Sequence, residues 1–424
     1  MIDEGDLINL SLEFTEKNLN EVYTITSGLS KSSDEFGFGF PFLSFKTIFY
    51  NYYIINDLDE LVNSTEEEQT KHSVKKGDVF LTRTSETLDE LGMSCVALRD
   101  YPNATFNGFT KRLRPKKDKV INPLYACYYF RSPLFRKYVD SMAIMTTRAS
   151  LNNNILSKLP IIFPNYEYQK KIGYLLYNLD KKIELNKRIN NNLITVAKAI
   201  FRDRFIFYHG YESQMINTDY GEIPNTFDVK KINDISKEVV CGKTPSTKVE
   251  ENYGDKMPFI TIPDMHGNVF VVNTERKLSE IGIQSQIKKI LPKNSICVSC
   301  IATAGLVSIT SEESQTNQQI NSIICKEGIS PYFVYLYMGE LSEYIKILGS
   351  GGSTTLNLNK REFAKIELAI PPQDDMNEFH KQISPLFEKI KFNQYEINKL
   401  TKLRDTLLPK LMSGEIDVSN INDY

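Results

Sequence analysis

One segment of this chain occurs twice, and that duplication limits the folds that the chain can adopt. Residues 158–164 read KLPIIFP and residues 365–371 read KIELAIP, and a long stretch of alternating polar and apolar residues follows each of them. Pro371 lies 207 positions after Pro164, and Asn393 lies the same 207 positions after Asn186, so the two copies align without a gap. Two copies of one unit in a single chain predict a pseudo-twofold internal repeat.

The composition is that of a globular protein with more than one domain. With 424 residues, of which 41% are apolar and 25% charged, the chain is long enough for two or more cores. No run approaches the roughly eighteen apolar residues of a membrane span, and no basic and apolar leader follows Met1, so we expect a cytoplasmic location. Six scattered cysteines do not indicate a disulfide framework. Because the net charge is only −2, any basic surface has to be local.

Both copies contain the spacing of a helix with one continuous apolar seam. From Ile172 to Ile200, and again from Phe379 to Leu407, the seam positions recur at alternating steps of four and three residues, the a/d spacing of coiled coils. Asn190, Ala197 and Arg404 also fall at this spacing. The predicted helix-helix seam consists of Ile172, Leu176, Leu179, Ile183, Asn186, Leu193, Ile200, Phe379, Ile383, Leu386, Ile390, Asn393, Ile397, Leu400 and Leu407.

A single helix of this kind can also pack only on its own domain, and this alternative stays open. Two seams of equal length can instead bury each other, and Asn186 and Asn393 occupy matching positions in them. A polar seam residue lowers stability but fixes the register of two helices. A helix of about forty residues is about 60 Å long, so the pair is predicted to act as a ruler between two globular domains.

The segments outside these helices have the composition of mixed α/β domains. They combine Tyr, Phe, Val, Ile and Thr in short alternating runs that Gly and Pro interrupt. They also share a plan, since Gly28 and Gly242 stand at comparable points before similar Pro-containing strands. We therefore divide the chain into a first globular domain at 1–157, a central helical segment at 158–206, a second globular domain at 207–364 and a distal helical segment with a tail at 365–424.

This order of domains and helices resembles the specificity (S) subunit of type I restriction-modification systems. The similarity extends over nearly the whole chain and includes KIELN at 182–186, GKTPS at 242–246, TNQQI at 316–320 and KLRDTLLPKLMSGE at 402–415. The first globular domain departs from the pattern, because it has TFNGF at 105–109 where the second has TNQQI. This departure leaves the DNA-facing residues of the first domain less defined.

The resemblance implies an α/β (α+β) fold in which two mixed α/β target recognition domains are separated by two long antiparallel helices that form a coiled coil. It also implies a subunit without a catalytic site. Each recognition domain would bind one half of a bipartite DNA target, and the helices would set the gap. The implied partners are double-stranded DNA, two methyltransferase subunits and, through them, restriction and translocation subunits. S-adenosylmethionine, ATP and Mg²⁺ would be bound by those partners.

The candidates for DNA contact are basic and polar side chains in predicted loops. A basic run at 111–119 can neutralise phosphates, although a solvated loop without DNA contact explains it equally well. Arg can pair with guanine, and Asn and Gln with adenine. Any one of these side chains can instead bond within its own domain. The predicted DNA-binding residues are Arg83, Ser85, Lys111, Arg112, Arg114, Lys116, Lys117, Thr147, Arg148, Lys243, Thr244, Ser246, Thr247, Asn317, Gln318, Gln319, Ser353 and Thr354.

Catalytic and metal sites have weak support in the sequence. Asp264 with residues 275–277, ERK, matches a loose metal-nuclease pattern that chance often produces. Cys297 and Cys300 have a zinc-like spacing, but their segment has the pattern of a buried strand with the two sulfurs on opposite faces. No catalytic residue and no metal ligand is therefore predicted. The remaining alternative of another class is a coiled-coil adaptor that binds proteins and no specific DNA sequence.

Overall fold

The computed structural model describes residues 13–145, 149–350 and 357–421, and they form two compact units. The first unit comprises residues 1–181 and 401–424, and the second unit comprises residues 182–400. Each unit contains a globular α/β part and part of two 40-residue helices, the central helix (Tyr166–Phe205) and the distal helix (Gln373–Met412). The predicted fold class is confirmed, whereas the four-part domain division stays a prediction.

The globular part of the first unit is built around a four-stranded antiparallel sheet. Its strands lie in the order Tyr23–Ser27, Thr110–Pro115, Val79–Thr82 and Ser94–Val96. A three-stranded sheet has the order Leu61–Val62, Phe36–Leu43 and Thr105–Phe106, and the smaller pairings join Phe14–Asn18 to Pro160–Pro164 and Ile144–Met145 to Ala149–Ser150 and Thr84–Ser85. The helices are Leu19–Val22, Phe45–Tyr50, Glu66–Lys71, Pro123–Tyr129, Pro133–Met142 and Asn153–Lys158, with a 3₁₀ turn at Ser33–Glu35.

The second unit repeats this plan with a five-stranded sheet. Its strands lie in the order Ser236–Cys241, Ile320–Cys325, Ile296–Ser299, Val307–Thr310 and Phe270–Val271. A four-stranded sheet has the order Tyr253–Gly254, Arg276–Leu278, Met257–Ile260 and Gln315–Thr316, and two antiparallel pairs join Met215–Thr218 to Gly221–Pro224 and Asp228–Lys231 to Glu367–Ile370. The helices are Ile232–Ile235, Ile262–Met265, Glu280–Gln284, Pro331–Glu340, Ser342–Gly349 and Lys360–Phe363, with 3₁₀ turns at Glu212–Gln214, Glu250–Asn252 and Ile287–Lys289.

The repeat extends to individual hydrogen bonds at the start of each long helix. In the first unit the Tyr129 hydroxyl accepts a bond from the Ile162 amide at 2.8 Å. In the second unit the Tyr337 hydroxyl accepts the corresponding bond from the Ala369 amide at 3.1 Å. All four residues are buried or nearly so, and each bond satisfies a backbone donor of the strand that leads into a long helix. Pro164 therefore ends the strand before the central helix, and Pro371 directly follows the strand before the distal helix.

Within the second unit the two long helices run antiparallel and pack against each other. Asn393 Nδ2 donates to Asn190 Oδ1 at 2.8 Å, and Arg204 reaches Glu378 at the other end of the contact. The residue numbers rise in one helix as they fall in the other, which is the mark of antiparallel pairing. Asn186 does not meet Asn393, because antiparallel pairing places it beside Glu396, whose carboxylate accepts a 2.8 Å bond from Asn186 Nδ2.

Within the first unit the helices are joined by a buried ion pair. The Arg404 guanidinium donates to Asp180 Oδ1 at 2.6 Å, and Asp180 Oδ2 accepts a further bond from the Tyr128 hydroxyl at 2.8 Å. The tail beyond Gly414 then returns to the central helix, where the Val418 amide donates to the Tyr168 hydroxyl at 3.1 Å. The seam position of Arg404, which interrupts the apolar pattern, is thus matched by an acid.

The seam positions are buried or half-buried throughout both helices. The fully buried members include Leu176, Phe379, Ile383, Ile390 and Asn393. The helices also pack on the globular parts, since Phe201 and Phe205 of the central helix contact the ring of Phe333 at centroid distances of 5.4 and 5.2 Å. The two alternatives considered for the helices therefore coexist. Among the described residues, no helix has the length and apolar character needed to cross a membrane.

The Asn190–Asn393 pair generates a stability prediction. Asn393→Ala should lower the free energy of unfolding by about 1–3 kcal/mol, because it leaves the Oδ1 atom of buried Asn190 without its donor. The double variant Asn190→Leu/Asn393→Leu should recover most of this loss, since two apolar side chains leave no polar group unsatisfied. Urea unfolding followed by circular dichroism measures both, with the exposed Asn192→Ala as the control. A single variant no less stable than this control would contradict the prediction.

Candidate nucleic-acid interface

Two of the polar loops predicted from the sequence lie side by side in the second unit. The Lys243 amide donates to the Thr316 carbonyl at 2.9 Å, and the Thr244 hydroxyl donates to Gln318 Oε1 at 2.5 Å. Lys243 and Gln318 are exposed, as are Ser246 and Thr247 on the same loop. The two loops together present amide, hydroxyl and ammonium groups to solvent, which are the groups that contact base edges and phosphates. We call residues 242–247 and 317–319 the second-unit loop pair.

A glycine permits this close approach of the two loops. A Cβ atom on Gly242 would lie 2.1 Å from the Asn317 carbonyl oxygen, and one on Gly28 in the first unit would lie 2.1 Å from the Asn107 carbonyl oxygen. Neither carbonyl can move aside freely, because each accepts a turn bond: Asn107 from the Thr110 amide at 3.1 Å and Asn317 from the Ile320 amide at 3.3 Å. The same juxtaposition in both units identifies Gly28 and Gly242, and Asn107 and Asn317, as structural equivalents.

Asn107 and Asn317 shape their loops in the same way. The Asn107 Oδ1 atom accepts a bond from the Phe109 amide at 2.8 Å, and the Asn317 Oδ1 atom accepts one from the Gln319 amide at 3.1 Å. Asn317 is nearly buried, so its side chain mainly holds the loop. Phe109 therefore corresponds to Gln319. The sequence comparison of TFNGF with TNQQI is shifted by one residue relative to the structure.

Arg83 lies beside this loop in the first unit. Its amide donates to the Phe109 carbonyl at 3.1 Å, and its guanidinium carbon lies 5.8 Å from the Phe109 ring centroid. In the second unit the corresponding amide is that of Cys300, which donates to the Gln319 carbonyl at 2.8 Å. Equivalent backbone positions thus present Arg83 and Phe109 in one unit, and Cys300 and Gln319 in the other. Ser85 follows Arg83 and donates from its hydroxyl to the Glu90 carboxylate at 3.1 Å.

Three residues of the predicted basic run have structural roles. Residues 110–115 form a strand inside a sheet and not a loop, and Arg114 makes two bonds of 2.7 and 2.6 Å to the fully buried carboxylate of Asp78. Arg112 is buried and donates to the Ser73 carbonyl at 2.6 Å, and burial lowers the pKa of its guanidinium to about 10. Lys111 is buried too and donates to the Ser27 hydroxyl at 2.7 Å.

Burial therefore argues against DNA contact by Lys111 and Arg112, because a phosphate contact requires an accessible cation. Arg114 is half-buried, and its guanidinium is held by Asp78. Burial also lowers the pKa of the Lys111 ammonium, with the neighbouring Arg83 as a second cause. Lys116 and Lys117 are exposed beyond the strand, and Lys116 bonds to the Asn20 carbonyl. These two cations remain available at the surface of the first unit.

Four predicted DNA-binding residues lie outside the described residues. They are Thr147 and Arg148 in the first unit, and Ser353 and Thr354 in the second. Their flanking segments are anchored at equivalent points, because the Leu151 amide donates to the Arg83 carbonyl and the Leu358 amide donates to the Cys300 carbonyl, both at 2.9 Å. Leu151 and Leu358 are therefore held at the residues that directly follow the strands Val79–Thr82 and Ile296–Ser299.

Sequence reasoning missed a cluster of aromatic side chains beside Arg83. Phe45 and Phe49 lie on one short helix and line a cavity together with Phe109. The available signal was the spacing of four between Phe45 and Phe49, which places both on one helix face. Such a pair more often belongs to a core, and only the structure reveals that the rings are partly accessible.

The residues of the nuclease-like and zinc-like patterns have structural roles. Asp264 caps a helix, because its Oδ2 atom accepts bonds from the Thr261 amide and hydroxyl at 2.8 and 2.7 Å, while Oδ1 accepts from the Glu275 amide at 2.8 Å. Burial raises the pKa of the Cys297 thiol to about 12 and that of Cys300 to about 11. In the described part of the chain, no group of three or more His, Cys, Asp or Glu side chains is arranged to hold a metal ion.

Comparison with known proteins gives matches over both halves of the chain. The profile of the type I restriction modification DNA specificity domain matches residues 12–194 and again residues 224–402. The HindI specificity subunit of Haemophilus influenzae is 33% identical over 410 residues, which cover 82% of this chain and 88% of that protein. The MjaIX specificity subunit of Methanocaldococcus jannaschii is 26% identical over 434 residues, covering 99% of this chain and 97% of that protein.

A solved structure has the same fold. It is the crystal structure of a type I restriction-modification system S subunit from M. genitalium, which superposes with a TM-score of 0.62. The alignment covers 97% of this chain and 98% of that one at 14% identity. The two matched stretches of the sequence profile contain most of the globular part of each unit and most of both long helices.

Proposed function

The chain belongs to the type I restriction-modification DNA specificity family, and we propose that it is the non-catalytic subunit that directs its complex to a bipartite DNA site. Its role in DNA specificity follows from the family. The finer assignment is that each unit reads one half of the site and that the paired helices set the unread gap between the halves. This assignment rests on one observation: the globular parts of the two units share a backbone framework but carry different side chains at the loop tips.

The repeated framework supports two readers with unlike targets. Gly28 and Gly242 hold equivalent loops, while the exposed side chains that follow differ between the units. Phe109 in the first unit corresponds to Gln319 in the second, and an aromatic ring and an amide recognise different features of DNA. A protein that read the same half-sequence twice would carry the same residues at these positions.

The polar groups of the second-unit loop pair suit direct contact with DNA. Gln318 and Gln319 can each make two hydrogen bonds to an adenine edge, and Lys243 can neutralise a phosphate. In the first unit Arg83, Ser85, Lys116 and Lys117 remain the candidates, together with the residues outside the described part of the chain. The adaptor alternative is not favoured, because the relatives that match most of this chain are specificity subunits.

Exposed apolar side chains at matching helix positions support two binding sites for one kind of partner. Leu185 on the central helix and Phe392 on the distal helix are both exposed, and they lie 207 residues apart in the repeat. Val196 and Leu403, also exposed, repeat the match eleven residues later, three helical turns further along the same faces. Exposed apolar residues at repeated positions suit one copy of the same partner on each helix.

We assign these two surfaces to two methyltransferase subunits, through which restriction and translocation subunits would join the complex. S-adenosylmethionine, ATP and Mg²⁺ would be bound by those partners, which would also carry out methyl transfer and cleavage. The expected location is the cytoplasm, where the complex would meet DNA.

The reading role is tested by gel-shift titration of the complex with its methyltransferase subunits. Binding to a split site should weaken with salt at a slope near −0.9 per phosphate neutralised. Gln319→Ala should cost about 1–3 kcal/mol of discrimination at one position of the second half-site and leave the first half-site unchanged. Gln284→Ala, an exposed amide away from the loop pair, is the control. Salt-insensitive binding without preference for a split site would refute the assignment.

The docking role predicts a change in stoichiometry. Leu185→Asp should remove one methyltransferase subunit and Phe392→Asp the other, because each buries a charge in a separate apolar contact. Native mass spectrometry of the assembled complex measures the number of subunits, with Asn191→Asp, an exposed position on another face of the same helix, as the control. The assignment of one surface to each subunit would be contradicted if a single variant lost both subunits. It would also be contradicted if a single variant lost no subunit.

A further inference from the structure

A cavity in the first unit combines aromatic rings with hydrogen-bonding groups. Its volume is about 380 Å³, and it is lined by Phe45, Phe49, Thr84, Ser85, Glu86, Glu90 and Phe109. The Phe109 ring is 61% exposed, and Phe45 and Phe49 are half-buried. The cavity adjoins Arg83 and the loop that follows Asn107, which are the parts of the first unit that correspond to the loop tips of the second.

One wall of the cavity is a short helix, Phe45–Tyr50, that is fixed at both ends. Ser44 caps its start by accepting a bond from the Thr47 amide at 3.3 Å. Arg131 holds its end, because its guanidinium donates to the carbonyls of Phe49 and Asn51 at 2.8 and 3.0 Å. The rings of Phe45 and Phe49 lie 24° from parallel with centroids 5.9 Å apart. This wall is therefore formed before any ligand binds.

The polar wall is a loop that is also held from behind. Arg136 donates to the Leu88 carbonyl at 2.9 Å, and the Gly92 and Met93 amides donate to the Thr82 carbonyl and hydroxyl at 3.1 and 2.9 Å. The Ser85 hydroxyl donates to one oxygen of the exposed Glu90 carboxylate. Glu90 thus presents its second oxygen as an acceptor on a loop of defined shape.

The chemistry of this lining selects its ligand. Phenyl rings bind the flat faces of a planar group, and in duplex DNA those faces are covered by neighbouring bases. Carboxylates repel phosphate and accept hydrogen bonds from exocyclic amino groups such as that of cytosine. A planar group with an amino substituent, removed from the base stack, satisfies both walls at once.

We propose that this cavity takes up one unstacked, amino-bearing nucleobase of the half-site that the first unit reads. Phe109 contributes ring contact from the loop that meets the DNA, and Phe45 and Phe49 provide the fixed wall. Glu90 accepts a hydrogen bond from the amino group and so distinguishes adenine or cytosine from thymine. The inference rests on the proposed reading role of the first unit and adds the kind of contact that the unit makes.

The second unit has no such cavity lining at the equivalent positions. The strand pair Leu43–Phe106 of the first unit corresponds to Ile260–Thr316 of the second. This alignment places Ile262 and His266 at the positions of Phe45 and Phe49, and Gln319 at the position of Phe109. Uptake of an unstacked base by this chain itself is therefore expected in the first half-site only.

The test uses the intact complex and a series of duplexes in which each base of the bipartite site in turn faces a mismatched partner. An unpaired base costs less to unstack, so a mismatch tightens binding where a base leaves the helix. We expect affinity to increase by about 10-fold when the mismatch lies at a position where a base is unstacked. These positions include any adenine that the methyltransferase subunits extrude. In the first half-site, a mismatch at one further position should increase affinity, and Phe109→Ala should abolish that increase. Phe109→Ala should also weaken binding to the fully matched site by about 5- to 100-fold.

Matched variants separate this contact from its alternatives. Phe38→Ala removes another exposed ring of the same unit, 51% accessible and outside the cavity, and should leave every gain intact. Glu90→Ala should keep the gain but reduce the preference for an amino-bearing base by about 10-fold. The inference is overturned if none of the mismatch-dependent increases in affinity requires Phe109. It is also overturned if the Phe109→Ala complex loses methyltransferase subunits in the absence of DNA. Failure of the wild-type complex to prefer a split site would instead overturn the proposed function.

Discussion

The antiparallel contact between the central and distal helices is the interaction on which the structure of each unit depends. In the second unit the contact includes the buried Asn190–Asn393 bond, and in the first unit the Asp180–Arg404 ion pair. Both are polar contacts within a largely apolar seam. A register shift of one residue would leave these groups buried without partners, at a cost far larger than that of a misplaced apolar side chain. The apolar seams alone would permit several alignments of the two helices, and the polar pairs select one of them.

The globular parts show how a duplicated framework can hold different side chains. Buried tyrosine hydroxyls, close-approach glycines and capping asparagines recur in both units, and each fixes a backbone position. The side chains at the loop tips do not fix the sheets and differ between the units, as Phe109 and Gln319 do. Separation of framework and contact residues allows the target to change while the fold is kept.

The sequence predicted the long helices well, because heptad spacing reports directly on which residues of a helix face a partner. The spacing does not show which residues face each other across the seam. Asn186 and Asn393 match in the repeat, but antiparallel pairing brings Asn393 to Asn190, and the direction of a partner helix leaves no trace in the spacing. The structural roles of Lys111, Arg112 and Arg114 in the basic run were missed for a similar reason. Arg114 is an ion-pair partner of Asp78, 36 positions earlier, and charge counted along the chain cannot show a contact made across a sheet. The aromatic cavity was missed because ring exposure depends on how Phe45, Phe49 and Phe109 meet in three dimensions.

The most direct test of the account is a change in helix length that preserves the seam. Seven residues inserted between Asn191 and Asn192, with seven more between Lys391 and Phe392, add one heptad to each helix at facing points. This extends the pair by about 10 Å, or about three base pairs. Sequencing of methylated sites in cells that carry the altered chain with its methyltransferase should show both half-sequences unchanged and the gap between them about three base pairs longer. An unchanged gap, or altered half-sequences with the same gap, would contradict the claim that paired helices space two independent readers.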